Sequence, residues 1–304
     1  MNMQKQKMDN SNIAVSLFAG CGGSSLGYHQ AGFEIPLAVE WDKKAAEIYK
    51  DNFPTTDIFS GDIAKLSAEE ALQRAGLQEG DLDLLDGSPP CQGFSMAGDR
   101  QRTDKRNLLF FEFLRMIQTF APKTFVMENV TGLIRGKMKM SFAEITIALK
   151  AMGYSVTCKK LNSWWYGVPQ SRERLIWIGI REDLKFSPSH PLPTTLIPNT
   201  VHDVLPYIWK IHSSFRSSVK KATLSNDWKS TAGPSPTLLA TMPPFVVERG
   251  SQEVRKLTVF EAKLLQGFPE NFAIEVYKPI GNSVPPPLTK AIGEHLKAEL
   301  VTEA

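Results

Sequence analysis

Cys91 stands in the run Gly87-Ser88-Pro89-Pro90-Cys91-Gln92-Gly93-Phe94-Ser95, directly behind an apolar stretch. Each proline ring locks φ and removes an amide donor, so the pair fixes the backbone just before the thiol. That rigidity suits a nucleophile that must be held in place. A lone cysteine is more often a small buried hydrophobe, so the surrounding motif carries the inference; Cys21 and Cys158 have no such setting and read as structural. A carboxylate, Glu128 in Met127-Glu128-Asn129-Val130, ends another apolar run. A glutamate at a strand end is commonly solvated or capping. Beside a thiol at a shared sheet edge, however, it can protonate or hydrogen-bond a heteroaromatic ring. Arg172 and Arg174, two apart on an expected strand, face the same side and can hold Glu128 and an anionic or carbonyl oxygen in register.

A second constellation suits a nucleoside. Phe18-Ala19-Gly20-Cys21-Gly22-Gly23 is a glycine-rich turn behind a strand, where missing Cβ atoms let backbone approach a ligand. Glu40 ends the following strand and is placed to hydrogen-bond ribose hydroxyls. Trp41 beside it can stack on adenine, and Asp62 at a third strand end can accept from an adenine amino group. The spacing is neither GxGxxG nor a P-loop, and the pattern fits S-adenosylmethionine or NAD.

Positioning these groups requires a wound sheet. Apolar runs at 13–18, 36–40, 57–62, 82–86, 124–127 and 174–180 read as strands, separated by amphipathic stretches that read as helices. This is an α/β pattern of parallel strands with helical crossovers. The expected helices run to about residue 30, from Asp42 to about residue 52, from a Ser67/Glu70 capping box, and over 106–120 and 141–152. Beyond about residue 185 the chain becomes rich in Pro, Ser and Thr and loses helical periodicity until Val259, which predicts a smaller irregular second domain. A last helix is expected at 288–300, with Asn282 and Ser283 as capping candidates and prolines 285–287 at its approach. The expected division is 1–184, 185–256 and 257–304, the last part returning to the first.

The motif residues resemble the DNA cytosine-5 methyltransferase family. GSPPCQGFS and MENV look like its nucleophile and acid motifs, and FAGCGG like its cofactor loop. Glu40-Trp41-Asp42 and Gly61-Asp62-Ile63 resemble its adenosine-binding segments, and Arg106-Asn107-Leu108-Leu109-Phe110 the segment behind its mobile loop. Gln170-Ser171-Arg172-Glu173-Arg174 resembles its QxRxR motif, and Gly281-Asn282-Ser283-Val284-Pro285 its closing GNSVxP motif. The series is ordered across nearly the whole chain. Only 186–253 is unmatched, apart from Ser235-Pro236-Thr237-Leu238, which resembles the signature recurring in the family's target-recognition segment.

The resemblance implies a Rossmann-like class I methyltransferase fold with a mostly parallel sheet and a small target-recognition domain. It implies S-adenosylmethionine as cofactor, at Phe18, Ala19, Gly20, Gly22, Gly23, Glu40, Trp41, Asp62, Ile63, Pro90, Leu109, Asn282, Ser283 and Val284. It makes Cys91, Glu128, Arg172 and Arg174 catalytic. It puts Gln92, Ser95, Arg106, Gln170 and Thr237 at double-stranded DNA, whose target cytosine must leave the stack to be reached. The basic, glycine-bearing stretch 93–107, with Arg100, Arg102, Lys105 and Arg106, is expected to close over the DNA backbone. A monomer is expected, with a cognate restriction endonuclease as a separately acting companion.

Composition sets the frame. Over 304 residues, 42% are hydrophobic and 22% charged, with net charge +3, as in an ordinary soluble protein. Lys210, Arg216, Lys220, Lys221, Lys229, Arg249 and Arg255 give the variable segment a local basic excess. Three cysteines without CxxC spacing suggest neither a zinc site nor a disulfide framework, and no signal-like or membrane-length apolar run occurs, so a cytoplasmic location is expected. Three rivals share parts of the pattern. The branch that methylates transfer RNA typically lacks the residues after the cysteine seen here and carries a Cys-Phe-Thr element absent from this chain. A silent DNA-binding protein has no need of the intact catalytic set. An NAD oxidoreductase is weakened by the missing GxGxxG.

Overall fold

The computed structural model describes residues 12–90, 105–212 and 228–301. The first half alternates β1 (Asn12–Leu17), α1 (Gly23–Gln30), β2 (Phe33–Glu40), α2 (Lys43–Asn52), β3 (Asp57–Ser60), α3 (Ala68–Ala75), β4 (Leu84–Gly87), α4 (Lys105–Phe120) and β5 (Thr124–Val130). Then come α5 (Lys139–Lys150), β6 (Tyr154–Asn162) and β7 (Glu173–Arg181). These strands form one seven-stranded sheet in the order β3-β2-β1-β4-β5-β7-β6. Strands β3 to β5 in that order are parallel; β7 runs antiparallel to both β5 and β6. Central β4 is buried along its whole length, the mark of a strand covered on both faces. The chain winds outward from β1 through β2 to β3 and returns to the other side of β1 as β4. That reversal leaves a crevice at the carboxyl ends of β1 and β4.

Several boundaries differ from expectation for local reasons. β2 begins at Phe33, three residues early, although Pro36 lies inside it. Pro36 lacks a ladder donor, and the β1–β2 register shifts at this point, between the Ile13 and Val15 pairings. β5 extends through Glu128 and Asn129 instead of stopping at Met127. β6 was not anticipated. It is the edge strand, with Lys159 and Lys160 exposed, so it lacks the continuous apolar run that marks its buried neighbours. A short 3-10 turn, Ser163–Tyr166, and no crossover helix separates β6 from β7, which makes the antiparallel pairing possible.

The remainder holds α6 (Val201–Val204), β8 (Ile208–His212), β9 (Lys229–Ser230), β10 (Phe245–Glu248), β11 (Val254–Lys256), α7 (Val259–Leu265), α8 (Tyr277–Asn282) and α9 (Pro286–Val301). Where irregular chain was expected, β8 to β11 form a small antiparallel sheet in the order β11-β10-β8-β9. Its core is shared: Ile208, Ile211, Leu238 and Val246 pack in one cluster with Ile48, Tyr49 and Phe53 of the first half and with Ala262 and Leu265 of α7. Ser283 does not cap the last helix. Its hydroxyl donates to Pro279 O at 2.7 Å, closing α8, while α9 starts two residues earlier than expected, at Pro286.

α9 returns to the first half and packs on α1. A Cβ at Gly27 would meet the Thr289 hydroxyl and the Pro286 carbonyl and lie 2.6 Å from Lys290 N. Gly27→Ala is therefore expected to lower the melting midpoint by about 5 °C, the scale of 1–3 kcal/mol of overpacking in a chain of this size. A midpoint within a degree of wild type in a thermal melt would show that the helix pair yields easily.

Candidate functional site

Two loops meet at the crevice. After β1 the chain turns sharply through Phe18 at φ 56°, Gly20 at φ 57° and Gly22 at φ 92°. Phe18 was expected to end the strand; it instead begins this left-handed turn, a conformation uncommon outside glycine. Glu40 fastens the turn to the end of β2: Gly20 N donates to its Oε2 and Asp42 N to its Oε1, both at 2.7 Å. Burial pushes the Glu40 carboxyl up, while backbone amides of Asp42, Gly20 and Trp41 act the other way. A carboxylate oxygen offers more than one lone pair, so Glu40 can still accept from a ribose diol. Trp41 is 79% exposed beside it, free to present a ring face. A Cβ at Gly20 would have nothing within 4 Å, so the loop borders open space.

The closing motif docks on the same loop. A Cβ at Gly23 would lie 2.5 Å from Val284 O, so only glycine permits this approach. Cys21 Sγ lies 3.1 Å from Ser283 Oγ, and burial pushes its thiol up to about 11, as expected of a structural cysteine. Gln266, which sequence reasoning did not single out, donates to Ser283 O at 2.6 Å. Asn282 is exposed and Val284 buried. Gly61 N donates to Glu40 O, which brings Asp62 to the same rim. Asp62 is exposed and caps the 3-10 turn Ile63–Lys65 rather than extending β3, while Ile63 is buried. Leu109 is half-buried on α4.

On the other side of β4, Glu128 and Arg174 form an ion pair, Nε to Oε1 2.6 Å, with each side chain 12% exposed. Adjacent Asn129 donates from Nδ2 to Pro89 O at 2.9 Å. This bond ties the acid's strand to the Pro89-Pro90 segment leading to Cys91; Pro89 is buried and Pro90 exposed. Asn129 lies in the quoted motif, but only the structure gives its partner. Cys91, Gln92, Ser95 and most of the basic stretch 93–107 lie outside the described residues, and for Arg106 the backbone at the start of α4 is described.

Arg172 and Arg174 part company. Arg172 precedes β7 and is 2% exposed; its Nη1 donates to Leu238 O at 3.0 Å and Nη2 to Gly281 O at 2.9 Å. Its Nε is buried without a partner. Burial pushes this guanidinium down, Arg174 adds to that, and Glu128 opposes it. Gln170 corrects an expectation of DNA contact. It is fully buried, donating to Leu265 O and Gln266 Oε1 and accepting from Leu238 N, so it braces the 238 segment against α7. Thr237 is half-buried and its hydroxyl donates to Ser171 O at 2.8 Å.

Comparison with known proteins shows the family. The family model for C-5 cytosine-specific DNA methylases matches residues 13–233 and 205–298. The chain is 34% identical over 321 residues to Type II methyltransferase M1.HphI of Haemophilus parahaemolyticus, covering 92% of this chain and 85% of that one. It is 30% identical over 332 residues to Type II methyltransferase M.NgoPII of Neisseria gonorrhoeae, covering 94% and 95%. Among solved structures, a prophage-encoded E. coli protein described as a DNA modification methyltransferase matches with TM-score 0.74 and 26% identity, over 96% of this chain and all of that one. The S. pombe Dnmt2 methyltransferase shares the fold, with TM-score 0.70 and 19% identity over 96% and 99%.

Proposed function

The chain belongs to the C-5 cytosine-specific DNA methylase family and is a DNA cytosine-5 methyltransferase, and on that premise we propose how its residues divide the work. The observation that carries the proposal is the Glu128–Arg174 pair on β5 and β7, joined through Asn129 to the segment that leads into Cys91.

The family uses S-adenosylmethionine, and the residues present fit it: the buried Glu40 carboxylate for a ribose diol, exposed Trp41 for adenine, Asp62 at the rim, and the open face of Gly20. Bound there, the sulfonium supplies an electrophilic methyl group. Cys91 adds as thiolate to carbon 6 of a cytosine rotated out of the duplex. At neutral pH a free thiol is only a few per cent thiolate, so Cys91 requires a local activating field. Glu128 gives a proton to ring N3 and accepts from the exocyclic amine, offsetting charge as the ring becomes an enamine nucleophilic at carbon 5. Arg174 fixes the Glu128 carboxyl for this task. Carbon 5 takes the methyl group, and loss of its proton to solvent then expels Cys91 as thiolate, which restores the aromatic ring and completes the cycle.

Residues 185–256 serve as the target-recognition segment, with Thr237 at its junction and its basic excess toward DNA. The catalytic part comprises 1–184, supported by 257–304. The enzyme acts as a monomer in the cytoplasm, alongside a separate restriction endonuclease.

The test is transfer of labelled methyl from S-adenosylmethionine to unmethylated duplex DNA of mixed sequence, followed by base-resolved mapping of 5-methylcytosine. Methylation confined to one short motif is the expected result. Transfer to transfer RNA alone, or none by a protein that binds the cofactor, would overturn the reading.

A further inference from the structure

Asp86 immediately precedes the Gly87-Ser88-Pro89-Pro90-Cys91 run, yet the proposed reaction makes no use of it. Its side chain is 4% exposed in the sheet interior. The Tyr28 hydroxyl donates to its Oδ1 at 3.0 Å and the Ser16 hydroxyl to its Oδ2 at 3.4 Å, and Ser24 also bonds to it. Its partners among the described residues are thus hydroxyls, not cations. Ser24 and Tyr28 lie on α1, the helix that continues from the Gly20–Gly23 loop, and Ser16 is on β1, which enters that loop. One carboxyl therefore links both sides of the Gly20–Gly23 loop to the strand that precedes the Cys91 segment.

We propose that Asp86 is a positioning residue of the cofactor site whose charge favours a cationic ligand, so that docking of S-adenosylmethionine is coupled to release of one proton from this carboxyl to solvent. The inference rests on the reading of the Gly20–Gly23 loop, Glu40 and Trp41 as the S-adenosylmethionine site. Desolvation pushes the Asp86 carboxyl up to about 7, the three hydroxyls opposing the rise and Glu128 adding to it. Near neutral pH the group is therefore divided between acid and carboxylate. The titratable groups facing it are Tyr28 on α1, Tyr49 on α2 and Glu128 on β5, itself paired with Arg174 of β7. A positive charge arriving at the adjoining loop stabilises the carboxylate through a poorly screened interior, which shifts Asp86 toward ionisation. By linkage, an ionised Asp86 binds the cation more tightly than a protonated one does. Affinity for the cation thus rises as pH climbs toward about 7, where a neutral ligand's affinity stays level.

S-adenosylmethionine and S-adenosylhomocysteine differ by one methyl group and the positive charge that it places on sulfur. Titration calorimetry at pH 6.5, in two buffers of different ionisation enthalpy, counts the protons released by each, below the range in which an α-ammonium group titrates. Wild type is expected to release a fraction of a proton more with the cation than with the neutral thioether, from the protonated share of Asp86. Asp86→Asn should release equal numbers with both ligands. Equal counts in wild type, or a difference that survives in Asp86→Asn, would overturn the proposal, the latter assigning the proton to Cys91 or another group. Should Asp86→Asn fail to fold, Tyr28→Phe supplies the second test. Losing one donor to the anion should move the proton release to higher pH, and an unchanged pH dependence would overturn the proposal. If neither ligand binds, the cofactor-site reading fails and takes this inference with it. If both bind with equal proton counts, the inference alone fails.

Discussion

Cys91→Ser is expected to reduce methyl transfer by roughly 10⁴-fold or more, the scale on which loss of an attacking nucleophile cripples an enzyme. Affinity for S-adenosylmethionine should hold. The separation follows from the structure. The candidate cofactor contacts are the turn after β1, Glu40 at the end of β2 and the 279–284 segment, all held by bonds that do not involve Cys91. The serine hydroxyl also ionises far less readily than a thiol, so even correct placement cannot restore the attack on carbon 6. The measurement is labelled methyl transfer alongside calorimetric cofactor binding. Turnover within tenfold of wild type would mean that no covalent adduct forms at Cys91. Equal loss of cofactor binding would mean that the two constellations are not separable.

Much of this site could be read from sequence because its chemistry sits at strand ends, where apolar runs stop and a polar residue follows. Glu40 and Glu128 are legible this way, and the parallel β4–β5 pairing brings the second of them to the edge at which β4 ends. What could not be read depends on contacts between segments distant in the chain. β6 carries no readable strand signal because exposed residues interrupt the apolar pattern on both of its faces. The direction of β7 follows from the β6–β7 connection, which carries no periodicity. The family resemblance puts Gln170 at DNA, and nothing local shows that Leu265, Gln266 and Leu238 surround it. Asp86 had a visible signal, an acid within Leu84-Leu85-Asp86-Gly87, but its meaning depends on Tyr28, 58 residues away in sequence.

The fate of Arg172 most clearly separates sequence from structure, and it sets the second large effect. Two arginines two residues apart on a strand point to one face, where both can hold Glu128 and an anionic or carbonyl oxygen in register. In the fold Arg174 holds Glu128, whereas Arg172 spans a buried gap, donating to Leu238 O in the segment proposed for target recognition and to Gly281 O at the edge of the closing motif. Arg172→Ala removes two charge-assisted hydrogen bonds and leaves both carbonyls facing a cavity, a loss of about 3–6 kcal/mol at 1.5–3 kcal/mol per bond. Denaturant unfolding should show a midpoint reduced to match. Arg172→Lys keeps the charge but has no planar fork to reach two carbonyls at once, so it should recover less than half of that stability. If Arg172 served the reacting base and not this junction, Arg172→Ala would unfold near the wild-type midpoint and lose only turnover. A large fall in stability, with cofactor and DNA binding weakened together, is the outcome that the two carbonyl bonds require, because one side chain there holds the Leu238 segment and the Gly281 segment in a common register.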